Sequence, residues 1–156
     1  MHIDRISPQL LVGPCPRSRA DIDQLKSGFG VTAVLNLQTE EDLRHWGIDW
    51  ADLAAYYRDT GLAVRRAPVQ DFDPASLREN LPHCVRQLRA LVQGGHTVYV
   101  HCNAGINRSP TTIIAYVHWV EQRELGEAVW MVTSRHICDP YVSAVIQATE
   151  AWMRGT

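Results

Sequence analysis

Short runs of β-branched and apolar residues alternate along this chain with stretches in which apolar residues recur at helical spacing. Residues 31–37 and 97–100 are predicted to be buried strands, and residues 109–121 an apolar helix. Such alternation is typical of an α/β domain whose mostly parallel central sheet is flanked by helices. A chain of 156 residues has the size of one such domain, so we expect residues 1–156 to form a single unit.

The connecting segments carry weaker signals. Residues 38–47 are polar and predict a loop. A capping-box pattern that begins at Ser76 predicts a helix through Leu91, and Asp139 is the predicted N-cap of the last helix. Four tryptophans that fall on predicted helices are expected in the core: Trp50, Trp119, Trp130 and Trp152.

Composition excludes several classes of function. With 15 basic and 17 acidic residues the net charge is -2, which argues against a nucleic-acid partner. No window approaches 18 apolar residues and the first residues lack the pattern of a signal peptide, so we expect no membrane partner and a cytoplasmic location. The 4 cysteines and 7 histidines lack the spacing of a metal site, and the sequence gives no oligomeric state.

The strongest functional signal lies between the strand at residues 97–100 and the helix near Ser109, where the chain reads His-Cys-Asn-Ala-Gly-Ile-Asn-Arg-Ser. A loop of this length before a helix N-terminus can turn its backbone N–H groups toward one point and bind an anion. Gly105 permits the required backbone geometry, and Arg108 can hold two phosphate oxygens. We therefore predict a phosphate-binding loop, supported by His101 and formed by Asn103, Ala104, Gly105, Ile106, Asn107 and Arg108.

Cys102 is the candidate nucleophile of this loop. The surrounding N–H groups, the helix end and Arg108 all favour negative charge on its sulfur, so we expect a thiolate at neutral pH. A thiolate held against a phosphate points to attack on phosphorus and a phosphocysteine intermediate, a route that needs no metal ion or cofactor. Ser109 follows the arginine and can donate its hydroxyl to the sulfur when that sulfur departs.

A departing alkoxide must be protonated, so we expect a general acid on a second loop near the first. The segment Gln-Asp-Phe-Asp-Pro at residues 70–74 supplies two carboxylates, Asp71 and Asp73. The commonest use of aspartate in such a segment is to stabilise a turn or to cap a helix. These residues alone leave open which carboxylate is the acid.

The pattern His-Cys-x5-Arg-Ser resembles the signature of the cysteine-dependent protein tyrosine and dual-specificity phosphatases, and the resemblance spans nearly the whole chain. It implies the single-domain fold of the dual-specificity enzymes, and it favours Asp71 as the acid that later serves as a base on water. Among these enzymes the glucan phosphatases are the most similar, through segments such as Trp-Gly-Ile-Asp at residues 46–49 and Asp-Phe-Asp-Pro at residues 71–74. By that likeness Trp46 and Phe72 would stack on sugar rings, although ordinary packing would also explain both side chains.

Three positions differ from the usual glucan phosphatase pattern: Asn107, Ser109 and Asp139. The differences at Asn107 and Ser109 favour the alternative, a generic dual-specificity enzyme that acts on phosphotyrosine and phosphoserine/threonine proteins. The overall resemblance implies a phosphatase that acts on glucan or a related carbohydrate. A phosphate- or sugar-binding module without catalysis is a third hypothesis, although the chain keeps the nucleophile, the arginine and a candidate acid. His45 and His136 are the histidines that could line the cleft.

Overall fold

One central sheet organises the molecule. The computed structural model describes residues 1–155, and within them the strands follow the order β1-β2-β5-β3-β4. The strands are β1 (Asp4–Ser7), β2 (Leu10–Gly13), β3 (Ala33–Asn36), β4 (Ala63–Arg66) and β5 (Val98–His101). The edge strand β1 is antiparallel to β2, and the other neighbouring pairs are parallel, which confirms the predicted mostly parallel α/β fold.

Helices cover both faces of the sheet. Within residues 1–155 they are α1 (Arg19–Asp23), α2 (Glu40–His45), α3 (Trp50–Thr60), α4 (Pro74–Gln93), α5 (Arg108–Trp119), α6 (Leu125–Thr133) and α7 (Val142–Arg154). A π-helical turn at Gln24–Gly28 continues α1. No helix in this part of the chain is long and apolar enough to cross a membrane.

Two hydrophobic cores lie on opposite faces of the sheet because successive side chains of a strand point in opposite directions. In β5, Val98 and Val100 enter the core built with α4, α5, α6 and α7, whereas Tyr99 enters the core built with α1 and α3. Burial on both faces explains why these strands are continuous apolar runs. The carboxyl ends of the parallel strands meet at one edge, where the loop after β5 begins.

Several local expectations are wrong. Residues 38–47 contain α2, because Thr39 and Asp42 form a capping box around a short acidic first turn. Helix α4 begins earlier than predicted, with Asp73 rather than Ser76 at its N-cap, and the N-cap of α7 is Tyr141 rather than Asp139. Strand β1 was not predicted because its short, polar sequence lacks alternation.

The tryptophans divide between core and surface. Trp119 and Trp152 are buried and stack with ring centroids 5.2 Å apart, as expected. Trp50 is half-buried beside the second core. Trp130 is 62% exposed on α6, so the expectation that it belongs to the core is wrong. An apolar residue on a helix of nine residues can face solvent without changing the helical pattern.

Candidate active site

Three carbonyl groups of the loop between β5 and α5 accept hydrogen bonds from neighbouring segments on its outer side. The carbonyl of Asn103 accepts from the N–H of Cys15 at 2.8 Å, and that of Ile106 accepts from the N–H of Asp139 at 2.8 Å. The carbonyl of Gly105 is 2.7 Å from Nε2 of His136. In a planar trans peptide the C=O and the next N–H point in opposite directions, so these contacts direct N–H groups to the other, concave face. The loop therefore presents donors for an anion.

Gly105 is required by this arrangement. Its φ is +74°, a left-handed conformation that side chains with a Cβ rarely adopt. A Cβ at this position would lie 2.6 Å from the carbonyl oxygen of Gly13 and 2.7 Å from its carbonyl carbon. Both atoms belong to the backbone at the end of β2, which cannot rotate away. The close approach of the Gly105 backbone to that of Gly13 fixes the position of the loop relative to the sheet.

Cys102 lies at the start of the loop, 3% exposed, with its Sγ 3.3 Å from Oγ of Ser109. Ser109 belongs to the first turn of α5 and is fully buried. A buried hydroxyl in contact with a sulfur can donate a hydrogen bond to it when the sulfur is a thiolate. The geometry therefore brings together the predicted nucleophile and the predicted assisting hydroxyl.

Arg108 is a buried cation at the start of α5, with 2% of its side chain exposed. Its Nη1 donates to Oδ2 of Asp42 and to the carbonyl oxygen of Val69, both at 2.8 Å, and its Nη2 lies 3.2 Å from Oδ2 of Asp71. Its Nε is buried and has no hydrogen-bond partner among residues 1–155. A buried guanidinium with an unpaired donor is costly unless a ligand accepts from it. Arg108 can therefore bind one more anion besides the carboxylates of Asp42 and Asp71.

Asp42 is a site residue that the sequence analysis missed. One oxygen accepts from Arg108, and the other accepts from Nδ2 of Asn103 at 2.9 Å. The same carboxylate closes the capping box of α2 by accepting from the N–H of Thr39 at 2.9 Å. Burial opposes its charge, but the hydrogen bonds from Arg108, Thr39 and Asn103 prevail and lower the pKa of Asp42. The signal that could have located it is the Thr-x-x-Asp pattern in the segment expected to be a loop.

The two carboxylates of residues 71–73 have different positions. Asp71 contacts Arg108, and its Oδ2 is 3.4 Å from Nδ2 of Asn103, at the wall of the cleft. Asp73 accepts from the N–H of Ser76 at 3.0 Å as the N-cap of α4. Ser76 in turn accepts from the N–H of Gln70 at 3.1 Å, which fastens the start of this segment. The structure thus gives the candidate acid and the helix cap to separate residues.

A cleft of about 540 Å³ opens above the loop. Its wall includes Trp46 and Phe72, the two predicted platforms. Phe72 is 97% exposed and adopts a φ of 55°, which is uncommon for an aromatic residue and is typical of functional loops. Trp46 is half-buried, and the guanidinium of Arg17 lies 5.2 Å from its ring centre, so that one ring face is already in contact with a cation.

The three singled-out histidines have different environments. His45 is exposed and lines the cleft, as predicted. His136 is buried behind the loop between Asp4 and Gly105 and does not line the cleft, so that prediction is wrong. His101 donates from Nδ1 to the carbonyl of Cys102 at 3.0 Å. Burial, with the nearby positive charges of Arg108 and Arg66, lowers the pKa of His101 to about 4, so this ring is neutral at pH 7.

The described residues contain no cluster of three or more histidine, cysteine or acidic side chains suited to a metal ion. The four cysteines are free. Cys15 is buried beside the loop, and burial raises the pKa of its thiol to about 11. The loop, a buried arginine with an unpaired donor and one cysteine at the floor of the cleft together define an anion-binding site with a candidate nucleophile.

The fold is shared with solved structures of other proteins. The structure of Tk-PTP in the active form matches with a TM-score of 0.76 at 19% identity, over 99% of this chain and 97% of that one. The human tyrosine phosphatase-like serine/threonine/tyrosine-interacting protein matches with a TM-score of 0.75 at 20% identity, over 98% of this chain and 97% of that one. At these identities the likeness shows the fold alone.

The sequence comparison identifies the family. The family model of the dual specificity phosphatase catalytic domain matches residues 15–144, so the chain belongs to this family. It is 35% identical to the chloroplastic phosphoglucan phosphatase LSF1 of Arabidopsis thaliana, over 96% of this chain and 25% of that protein. It is 35% identical to the amyloplastic phosphoglucan phosphatase DSP4 of Castanea sativa, over 96% of this chain and 40% of that protein.

A third relative comes from an animal. The chain is 38% identical to laforin of Mus musculus, over 86% of this chain and 44% of that protein. The chain therefore spans less than half the length of each of these three curated relatives. These comparisons confirm the resemblance to the dual-specificity phosphatases, and the two plant relatives are phosphoglucan phosphatases by name.

Proposed function

We propose that this protein hydrolyses phosphate monoesters on glucan or a related carbohydrate through a phosphocysteine intermediate. The observation that carries the proposal is the buried guanidinium of Arg108, which lines the same cleft as Cys102 and has an unpaired Nε among residues 1–155. A bidentate interaction of arginine with phosphate uses two such N–H donors. The loop N–H groups supply the remaining donors for the phosphate oxygens.

In the first step the Cys102 sulfur attacks phosphorus and forms the S–P bond while the P–O bond to the sugar breaks. The electron pair of that bond goes to the leaving oxygen, which takes a proton from Asp71 and departs as an alcohol. The contact between Asp71 and Arg108 supports this role because it holds the carboxyl group at the cleft wall, above the loop.

In the second step the Asp71 carboxylate takes a proton from water, and the water oxygen attacks phosphorus. The S–P bond breaks, and its electron pair returns to the sulfur as the thiolate. Ser109, 3.3 Å from that sulfur, donates a hydrogen bond that stabilises the returning charge. The products are one alcohol and one inorganic phosphate, and no metal ion or other co-reactant enters the balance.

The carbohydrate part of the proposal depends on the cleft wall. Phe72 presents an almost fully exposed ring at the wall of the cleft that contains Cys102 and Arg108, and Trp46 forms another part of that wall. Flat aromatic rings with polar neighbours suit the apolar faces and hydroxyl edges of sugars. The names of the plant relatives, both phosphoglucan phosphatases, point to the same substrate class.

The test compares phosphate release from phosphorylated amylopectin, from phosphopeptides and from a small aryl phosphate. Replacement Cys102→Ser should lower all three rates by more than roughly a thousand-fold, because the nucleophile is lost. Phe72→Ala and Trp46→Ala should lower kcat/KM on amylopectin by about three- to ten-fold, the worth of one ring contact, and leave the aryl phosphate rate nearly unchanged.

Trp130→Ala is the matched control, since Trp130 also carries an arginine over its ring but lies on α6 outside the cleft. It should leave all three rates unchanged. Faster hydrolysis of phosphopeptides than of amylopectin, with no effect of the cleft variants, would favour the protein phosphatase alternative. Absence of turnover on every substrate, with phosphate still bound, would instead identify a binding module.

A further inference from the structure

His136 occupies a buried position in which both ring nitrogens face oxygen atoms. Its Nε2 is 2.7 Å from the carbonyl oxygen of Gly105, in the centre of the phosphate-binding loop. Its Nδ1 is 2.8 Å from Oδ2 of Asp4, on the edge strand β1. The side chain of His136 is 5% exposed and that of Asp4 is 21% exposed. The ring therefore connects the first strand of the chain to the catalytic loop.

The hydrogen-bond chemistry of these two contacts fixes the protons. A carbonyl oxygen can only accept, so Nε2 must carry a hydrogen. A neutral imidazole has only one N–H, so its Nδ1 would then point a lone pair at a carboxylate oxygen. Asp4 also faces Nε2 of His2 at 3.0 Å, on its solvent side, and is a partly exposed carboxyl group. An ionised Asp4 and a doubly protonated ring satisfy all of these contacts together.

We infer that His136 is an imidazolium that positions the phosphate-binding loop and places a positive charge behind it. This inference rests on the proposed function. Because the peptide that joins Gly105 to Ile106 is planar and trans, a hydrogen bond to its carbonyl turns the Ile106 N–H toward the concave face. The charge of the ring strengthens that hydrogen bond and polarises the same peptide. His136 is thus a positioning residue, which acts on phosphate through the loop backbone.

The charge state is measured on the unaltered protein by nitrogen-15 NMR of the histidine rings at pH 7. We expect both His136 nitrogens to show the shifts and attached protons of an imidazolium, while His101 shows a neutral ring. A singly protonated His136 would overturn the inference. This measurement needs neither turnover nor a substrate, so its outcome is independent of the proposed function.

The positioning role is measured by the affinity for inorganic phosphate and by kcat/KM on an aryl phosphate. His136→Gln keeps a donor but not the charge, and should weaken phosphate binding and lower kcat/KM by about ten-fold or more, the worth of one charged hydrogen bond. His136→Arg supplies a permanent charge with several donors and should restore both values to within about three-fold of the original.

His83→Gln, at an exposed position on α4, is the matched control and should change neither value. Urea unfolding of each variant shows whether its fold is intact. Unchanged phosphate affinity and kcat/KM in a folded His136→Gln variant would overturn the positioning role. An equal loss of phosphate affinity and kcat/KM in the glutamine and arginine variants would overturn the role of the charge, because it would show that the ring acts only through packing. If His136→Gln does not fold, Asp4→Asn takes its place, because removal of the carboxylate charge should by itself weaken phosphate binding.

Discussion

The conformation of the loop from Cys102 to Arg108 requires that residue 105 have no Cβ, and the replacement Gly105→Ala tests this requirement. The new Cβ would lie 2.6 Å from the oxygen of Gly13, which is 0.8 Å closer than the 3.4 Å at which ordinary contacts begin. The neighbouring atoms belong to the backbone of β2 rather than to a flexible side chain. Relief of the overlap requires the loop to move away from the sheet.

Two effects lower the stability of the Gly105→Ala variant. A left-handed conformation with a Cβ costs about 1–2 kcal/mol, and overpacking in a rigid site costs about 1–3 kcal/mol more. Gly47 separates these costs, because its φ is +64° and no atom lies within 4 Å of its virtual Cβ. Gly47→Ala should therefore show only the conformational cost. We expect Gly105→Ala to destabilise the protein by roughly 3 kcal/mol and Gly47→Ala by roughly 1 kcal/mol.

Urea unfolding measures the difference. With a slope of about 2 kcal/mol per molar urea, the midpoint of Gly105→Ala should fall about 1 M below that of Gly47→Ala. A displacement of the loop by about 1 Å should also lower kcat/KM on an aryl phosphate by up to about a hundred-fold, while Gly47→Ala keeps the original rate. Equal destabilisation by the two replacements, with activity retained in both, would show that the contact with the Gly13 backbone does not constrain the loop.

Three further predictions concern single side chains. Asp71→Asn should lower kcat on esters with poor leaving groups by about 10²- to 10⁴-fold, because the general acid is lost. Asp73→Ala should instead lower the free energy of unfolding by about 1 kcal/mol and leave kcat unchanged, because it removes only a helix cap. Rate and unfolding measurements on both variants distinguish the two roles. Asp42→Asn should destabilise the protein by about 3 kcal/mol in urea unfolding and weaken phosphate binding, because the buried guanidinium of Arg108 loses one of its two charged partners. His101 has a pKa of about 4 in the folded state, below its ordinary 6.5, so the unfolded chain binds the proton first and stability falls as the pH drops from 6.5 to 4. Replacement His101→Asn should reduce this loss by up to roughly 3 kcal/mol, measured as the difference between urea unfolding free energies of the two proteins at pH 7 and pH 4.5.

The parts of the site that could be predicted from the sequence are those whose residues are contiguous in the chain. The loop from Cys102 to Arg108 is continuous in the chain, and its glycine, arginine and helix start are all visible in nine successive letters. The strands β3 and β5 were predictable for a similar reason, since burial on both faces produces uninterrupted apolar runs. These features depend on neighbours within a few residues, which is the range that a pattern can report.

The remaining parts depend on contacts between distant positions. Asp42 and Arg108 are 66 positions apart, and Asp4 and His136 are 132 apart, so no local pattern relates them. The first of these pairs was also hidden because α2 has only six residues and a mostly charged sequence, which periodicity cannot distinguish from a loop. The choice between Asp71 and Asp73 likewise required tertiary structure, because only the start of α4 shows which carboxylate is used as a cap.

The hydrogen-bond partners of the loop explain how residues 102–108 keep a conformation in which several backbone N–H groups face one point. Three carbonyls of the loop are bound by three different segments: by Cys15 after β2, by His136 after α6 and by Asp139 before α7. Unpaired N–H groups that face one point repel one another, so the loop would relax if these outer contacts were weak. The free energy that holds the anion site open therefore comes from the packing of the two ends of the chain around it. A mutation far from the cleft that loosens β1 or the segment between α6 and α7 should consequently weaken phosphate binding before it unfolds the domain.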